Sequence, residues 1–269
     1  MGVVPRYAGW DVSIDQQERN MALQIQTFTA TSGVTAHPSV QVNVPPGFKV
    51  LGGGAFDHWT GAGSLLTASY PLNANTWFAA GKDHEISAPA AITAYAIALH
   101  DPNDEWDVHI KSEPSNPAPH PQAIAVLPAG FVLTGGGAFV NWHGAGNLLT
   151  ASFPTSDTSW EVRSKDHDIS DPSQITAYAI GIRPKHNGKK LRHEIRREKG
   201  AVAAHPTAHV QLDSGWSLSG GGALDDWHGA GNLLTASFPQ GEGWVAFGKD
   251  HKESSPAAIT AYAIGLREG

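Results

Sequence analysis

The sequence contains no cysteine, which removes disulfide staples and thiolate metal sites from all 269 residues. Long apolar runs are missing too. No stretch approaches membrane-spanning length, and the opening MGVVPRYAGWDVSIDQQERN lacks the apolar core of a signal peptide. The expectation is a cytoplasmic protein, or a secreted one without disulfides, with no insertion into a membrane. Basic charge is scarce, 18 Lys and Arg against 25 Asp and Glu, for a net charge of −7. Nucleic acid is therefore excluded as the expected partner, since its phosphates demand a basic surface. The one local basic run, Lys185 to Arg197 (KHNGKKLRHEIRR), reads as a solvated linker. No segment reads as a helix.

Repetition is what the chain has in abundance. WHGAGNLLTASFP runs from Trp142 to Pro154 and returns from Trp227 to Pro239, and WTGAGSLLTASYP spans Trp59 to Pro71. A Lys-Asp-His triplet recurs at Lys82-Asp83-His84, Lys165-Asp166-His167 and Lys249-Asp250-His251. His-Pro pairs at His37, His120 and His205 open the units, and ITAYAI closes them from Ile92, Ile175 and Ile259. The expected organisation is an N-terminal extension at 1–20 and repeats at 21–103, 104–188 and 189–269, folded together as one compact domain.

Each piece of the unit reads as strand. Ser39 to Val44 alternates polar and apolar residues, as a half-buried strand does, and ITAYAIAL is β-rich and short. LQIQTFTA, EWDVHIKS and LRHEIRRE add one strand upstream of each His-Pro, giving five or six per unit. The turns PLNAN, PTSDTS and PQGEG are rich in breakers and differ among the copies. Triple glycines at Gly52, Gly135 and Gly220 imply a bulge or a close approach by another backbone. They are no phosphate loop, because neither a Lys-Ser/Thr ending nor a helix follows. The fold class expected is all-β, with the three repeats closed into one β-prism-like body around a pseudo-threefold axis. Three tandem small β-sandwiches are the alternative. Closure has the merit of removing exposed sheet edges.

The order GGGA, a small-residue S-x-P stretch, Trp and finally AYAI resembles bacterial β modules that carry GGGA…SxP…W…AYAxC. The resemblance covers most of each unit and implies a β module, with no activity attached. Their final Cys is absent, Ala98, Gly181 and Gly265 following AYAI instead.

Apolar repetition needs only a core to explain it, so the repeated polar residues hold the functional signal. By period two, Asp83, Asp166 and Asp250 share a strand face with Trp77, Trp160 and Trp244, and small residues between them suggest a shallow floor with an aromatic at one end. In the W-x-GAG loop, Trp59, Trp142 and Trp227 offer flat apolar faces, while Asn147, Asn232 and Ser64 supply polar groups beside His143 and His228. A stacking ring with a carboxylate, an amide and open backbone groups suits a sugar. These residues, together with His84, His167 and His251, form the expected ligand set of a lectin-like protein with three near-equivalent glycan sites, whose weak contacts gain by multivalency. A ligand-free structural or self-assembly β protein is the second reading. The third is a metal-binding protein or enzyme with a His₃ site on the axis, from His84, His167 and His251 or from His37, His120 and His205. No cofactor is otherwise expected. No nucleophile elbow or HExxH is present, and adjacent strand residues do not converge for catalysis.

Overall fold

The computed structural model describes residues 23–186 and 190–269. The extension expected at 1–20 lies outside the described residues. The described chain is all-β, without a helix, and each repeat supplies six strands. Repeat 1 carries β1 (Ile25–Thr31), β2 (Ser39–Asn43), β3 (Phe48–Asp57), β4 (Ser64–Asn73), β5 (Thr76–Asp83) and β6 (Ile92–His100). Repeat 2 carries β7 (Trp106–Pro114), β8 (Gln122–Val126), β9 (Val132–Asn141), β10 (Leu148–Ser156), β11 (Ser159–Lys165) and β12 (Gln174–Pro184). Repeat 3 carries β13 (Leu191–Lys199), β14 (Thr207–Gln211), β15 (Ser217–Asp225), β16 (Asn232–Gln240), β17 (Gly243–Asp250) and β18 (Ile259–Glu268). The basic run read as linker is half strand: from Leu191 onward it pairs with β18, its charges lying on an edge strand.

Three six-stranded antiparallel sheets result, and every one takes strands from two repeats. Their orders are β1-β6-β3-β16-β17-β14, β13-β18-β15-β10-β11-β8 and β2-β5-β4-β9-β12-β7. Hydrogen bonding therefore passes from repeat 1 to 2 through β4 and β9, from 2 to 3 through β10 and β15, and from 3 back to 1 through β16 and β3. Each joint is a short ladder. Ala68 and Ser69 face Phe139 and Ala138, Ala151 and Ser152 face Leu224 and Ala223, and Ala236 and Ser237 face Phe56 and Ala55.

The triple glycines make these joints reachable. A Cβ on Gly52 would strike Ser219 and Gly220, one on Gly135 would strike Leu51 and Gly52, and one on Gly220 would strike Thr134 and Gly135. The first glycines of the repeats thus press backbone on backbone. The second glycines, Gly53, Gly136 and Gly221, lie under the fully buried Trp77, Trp160 and Trp244. The third, Gly54, Gly137 and Gly222, sit against the carbonyls of Ser237, Ser69 and Ser152 across the joint. The Ser hydroxyls accept the indole N–H bonds at 3.1 Å (Trp77 to Ser69), 3.0 Å (Trp160 to Ser152) and 2.8 Å (Trp244 to Ser237). Both readings of the glycines hold, for the ladders also shift register at Val50/Gly52 and Leu218/Gly220.

Equivalent side chains of the three repeats meet inside. Leu65, Leu148 and Leu233 form a dry cluster of their own, and a small cavity is lined by Gly53, Gly136, Gly221, Ser69, Ser152 and Ser237 together with Leu66, Leu149 and Leu234. Aromatic rings cover the joints: half-buried Tyr70 stacks on Tyr178 at 4.8 Å and half-buried Tyr95 on Phe238 at 5.3 Å, while Phe153 and Tyr262, 5.3 Å apart, are buried.

Gly221→Ala drives a methyl into Trp244 with backbone behind it, so neither partner can yield. The expected loss is about 3 kcal/mol or more, the top of the overpacking range. Gly33→Ala, with nothing within 4 Å, is the near-neutral control. Denaturant unfolding of both variants checks the difference.

Candidate functional site

The Lys-Asp-His triplets lie at the ends of β5, β11 and β17, and each reaches the W-x-GAG loop of another repeat. The loop bends through glycines in the left-handed region, such as Gly144 at φ 55° and Gly146 at φ 63°, and so turns its carbonyls inward. Lys82 donates to the Ala145 carbonyl, Lys165 to Ala230 and Lys249 to Ala62. The same ammoniums sit over the loop tryptophans, Lys82 4.1 Å from the Trp142 centroid, Lys165 4.2 Å from Trp227 and Lys249 4.2 Å from Trp59. All three lysines are essentially fully buried, and burial pushes each ammonium down to about 8, against Asp171 for Lys82, Asp225 and Asp168 for Lys165, and Asp57 and Asp83 for Lys249.

The triplet aspartates brace the loops from within their own repeats. Asp166 accepts 2.8 Å from the Asn147 side chain and 2.9 Å from the Asp171 amide, and Asp250 accepts 2.9 Å from Asn232 and 2.9 Å from the Ser255 amide. Asp83 accepts 2.9 Å from the Ala88 amide, with Ser64 standing where the other copies have Asn. Triplets and W-x-GAG loops thus meet, the lysines across repeats and the aspartates within their own, while Asp83 Oδ1, Ser64 Oγ and the Oδ1 atoms of Asn147 and Asn232 have no hydrogen-bond partner among the described residues. The shallow aromatic floor is not present: Trp77, Trp160 and Trp244 are fully buried, because the second glycines open the space that takes them into the core.

The two histidine sets part company. His37, His120 and His205 are far from converging; each packs edge-on against the loop Trp of another repeat, His37 on Trp142 at 5.4 Å, His120 on Trp227 at 5.4 Å and His205 on Trp59 at 5.5 Å. His84, His167 and His251 do meet, fully buried, with ring centroids 5.1 to 5.3 Å apart. Burial pushes His167 down to about 4, with Asp168 opposing and the other two histidines reinforcing, and burial lowers His251 as well. His143 and His228 are exposed at the loop tips.

Trp59, Trp142 and Trp227 remain half exposed, one face on lysine and an edge on histidine. Beside Trp227 a cleft of about 300 Å³ opens between repeats 2 and 3, walled by His120, Gln122, Arg163 and Asp226. Its lining includes four buried polar atoms with no hydrogen-bond partner among the described residues: Thr150 Oγ1, Ser164 Oγ and both Asp225 carboxyl oxygens. Buried polar atoms are nearly always paired, so four orphans in one cleft call for a polar occupant. Burial pushes the Asp225 carboxyl up to about 8, Lys165 opposing the shift and Asp226 and Asp250 adding to it. The sequence pointed to the Trp but missed the floor. Its signs were that Ser164 and Arg163 replace Gly81 and Ala80 of repeat 1 and Gly248 and Phe247 of repeat 3, and that Asp225, like Asp57, stands where repeat 2 has Val140.

No protein family and no curated protein matches the chain. Among solved structures, one described as "The Triple Jelly Roll Fold and Turret Assembly in an Archaeal Virus" is similar at 7% identity and a TM-score of 0.17, covering 97% of this chain and 94% of that one. A likeness of that size carries no argument about fold or function. Among the described residues no helix is long and apolar enough to cross a membrane.

Asp225 gives a pH prediction. Its folded-state value of about 8 lies above the ordinary value of 3.8, so the native state holds the proton more tightly than the unfolded chain. Stability from this group is complete below about pH 4 and is lost as the pH rises towards 8. Asp225→Asn keeps the neutral shape, so the variant should match the parent at pH 4 and exceed it increasingly up to pH 8. Thermal unfolding across that range checks it, and a variant less stable than its parent at pH 8 would show that an ion pair with Lys165 dominates.

Proposed function

We propose that the protein binds carbohydrate, and that the cleft between repeats 2 and 3 is its principal site. The observation that carries this reading is the set of orphan polar atoms beside a half-exposed Trp227. A sugar needs an aromatic face for its C–H surface and both donors and acceptors for its hydroxyls. Thr150 and Ser164 offer hydroxyls of either role, and a protonated Asp225 donates as well as accepts. His120, Gln122 and Asp226 stand at the rim, where they select among ring substituents.

The wider reading is a closed, pseudo-threefold body with further, weaker sites at the other two junctions. Cyclic passage of the sheets from repeat to repeat supports closure over three separate sandwiches. The junctions differ in polar equipment, however. Val140 replaces Asp225 at the junction of repeats 1 and 2, and Phe247 replaces Arg163 at the junction of repeats 3 and 1. Tight binding is therefore expected at one cleft per chain.

A glycan array should yield a ligand, and calorimetry with it should give one tight site. Trp227→Ala is expected to weaken that site at least tenfold, about 1.4 kcal/mol, and to lower the melting temperature as well because Lys165 loses the ring it sits over, whereas Ser164→Gly should weaken binding several-fold with unchanged melting. Absence of any glycan ligand, or binding indifferent to Trp227→Ala, would overturn the reading.

A further inference from the structure

We propose that His84, His167 and His251 form a structural site for one zinc-class divalent cation, which ties the three repeats together at one end of the body. The proposal is independent of the carbohydrate reading. Each ring follows a lysine-aspartate pair at a strand end, and one non-glycine residue after each histidine is left-handed: Glu85 at φ 60°, Asp168 at φ 56° and Lys252 at φ 60°. In every copy the next amide bonds back to the histidine carbonyl, Ile86 to His84 at 2.7 Å, Ile169 to His167 at 2.6 Å and Glu253 to His251 at 2.6 Å. These are tight γ-type turns of the rare, strained positive-φ kind, repeated three times around one cluster. They turn the chain outward and leave the rings inside.

One ring nitrogen from each histidine lies within 4.8 Å of the other two. Zinc–nitrogen bonds of about 2.0–2.1 Å in a tetrahedral shell put ligand nitrogens about 3.4 Å apart, so small ring rotations close the gap. The Nδ1 contacts of two of the three rings suit ligation. His84 Nδ1 lies 3.0 Å from the Ala145 carbonyl and His251 Nδ1 lies 3.2 Å from the Ala62 carbonyl. A Nδ1–H donated to a backbone carbonyl is the usual support of a ligating histidine and leaves the Nε2 lone pair for the metal. Without a cation that lone pair is misplaced, since His84 Nε2 faces the His167 carbonyl at 2.9 Å and His251 Nε2 faces the His84 carbonyl at 2.9 Å. A neutral imidazole has one N–H and cannot satisfy both carbonyls. His167 is more exposed to this problem still: neither ring nitrogen has a hydrogen-bond partner among the described residues, although the Asp168 carboxylate lies 3.3 Å from Nδ1.

An all-imidazole set suits zinc, copper or nickel over magnesium or calcium, which require oxygen ligands. At the rim, Glu85 and Asp168 contribute two negative charges and Lys252 one positive, Lys252 pairing with Glu85 and lying 3.9 Å from Asp168. The site is closed to solvent, which makes it structural and leaves no approach for a substrate.

The test uses the full chain freed of metal with a chelator and then titrated with zinc chloride. The expected result is one zinc per chain, a melting temperature that rises with zinc as binding to the native state requires, and an X-ray absorption spectrum with three imidazole nitrogens on the metal. In His167→Asn the stoichiometric zinc should be lost. Full binding by that variant, failure of the native chain to bind zinc, or fewer than three imidazoles in the spectrum would each overturn the proposal. The absorption measurement needs no variant, so it decides the matter even if His167→Asn does not fold.

Discussion

Everything in this structure depends on the contact of bare backbone at the first glycines, Gly52, Gly135 and Gly220. Any side chain there would hold the repeats apart by the width of a methyl group, and the two-residue ladders at the joints could not form. Ladders that short contribute little alone. They survive because Trp77, Trp160 and Trp244 fill the space over the second glycines and because stacked rings cover the outside. Burial of such large aromatic faces is where the folding free energy resides.

The polar residues of the repeat are the second layer of the same architecture. A buried lysine is costly unless its charge is answered, and here a loop carbonyl and a tryptophan face answer it. That arrangement obliges the loop to turn its carbonyls inward, which in turn requires glycine at the two left-handed positions. Asn147 and Asn232 then fix the aspartates, and the aspartates cap the following turns. Lysine, glycine and aspartate are thus mutually required in all three copies, with asparagine completing the set in repeats 2 and 3, and the stretch recurs with little change for this reason.

Much of the strand pattern was legible in the sequence, since alternation in SVQVNV and the short β-rich ITAYAI leave few other readings. The close approach at the glycines was legible too. What period-two reasoning could not show is that each sheet is shared by two repeats, because nothing local distinguishes a joint within a repeat from one between repeats. The fully buried Trp77 illustrates the same limit: its place follows from Gly53 on a different strand, and no window of sequence around it contains that fact. The convergence of His84 with His167 and His251 is likewise a consequence of how the repeats are joined.

Identity among copies and difference among copies therefore report different things. A residue needed to join any repeat to the next is needed three times, and the triplets, glycines and TAS segments meet that description. A residue that meets a ligand is needed only where the ligand sits. Ser164, Arg163 and Gln122 stand where repeat 1 has Gly81, Ala80 and Ser39 and repeat 3 has Gly248, Phe247 and Thr207. Of the orphan groups, Ser164 is at such a variable position, Asp225 is shared with Asp57 of repeat 1, and Thr150 recurs as Thr67 and Thr235, so the cleft combines repeated and unrepeated polar groups beside one copy of an invariant tryptophan. The scaffold supplies the same aromatic platform and part of the polar floor at every junction, and the departures from repetition at Ser164, Arg163 and Gln122 complete that floor at one of them.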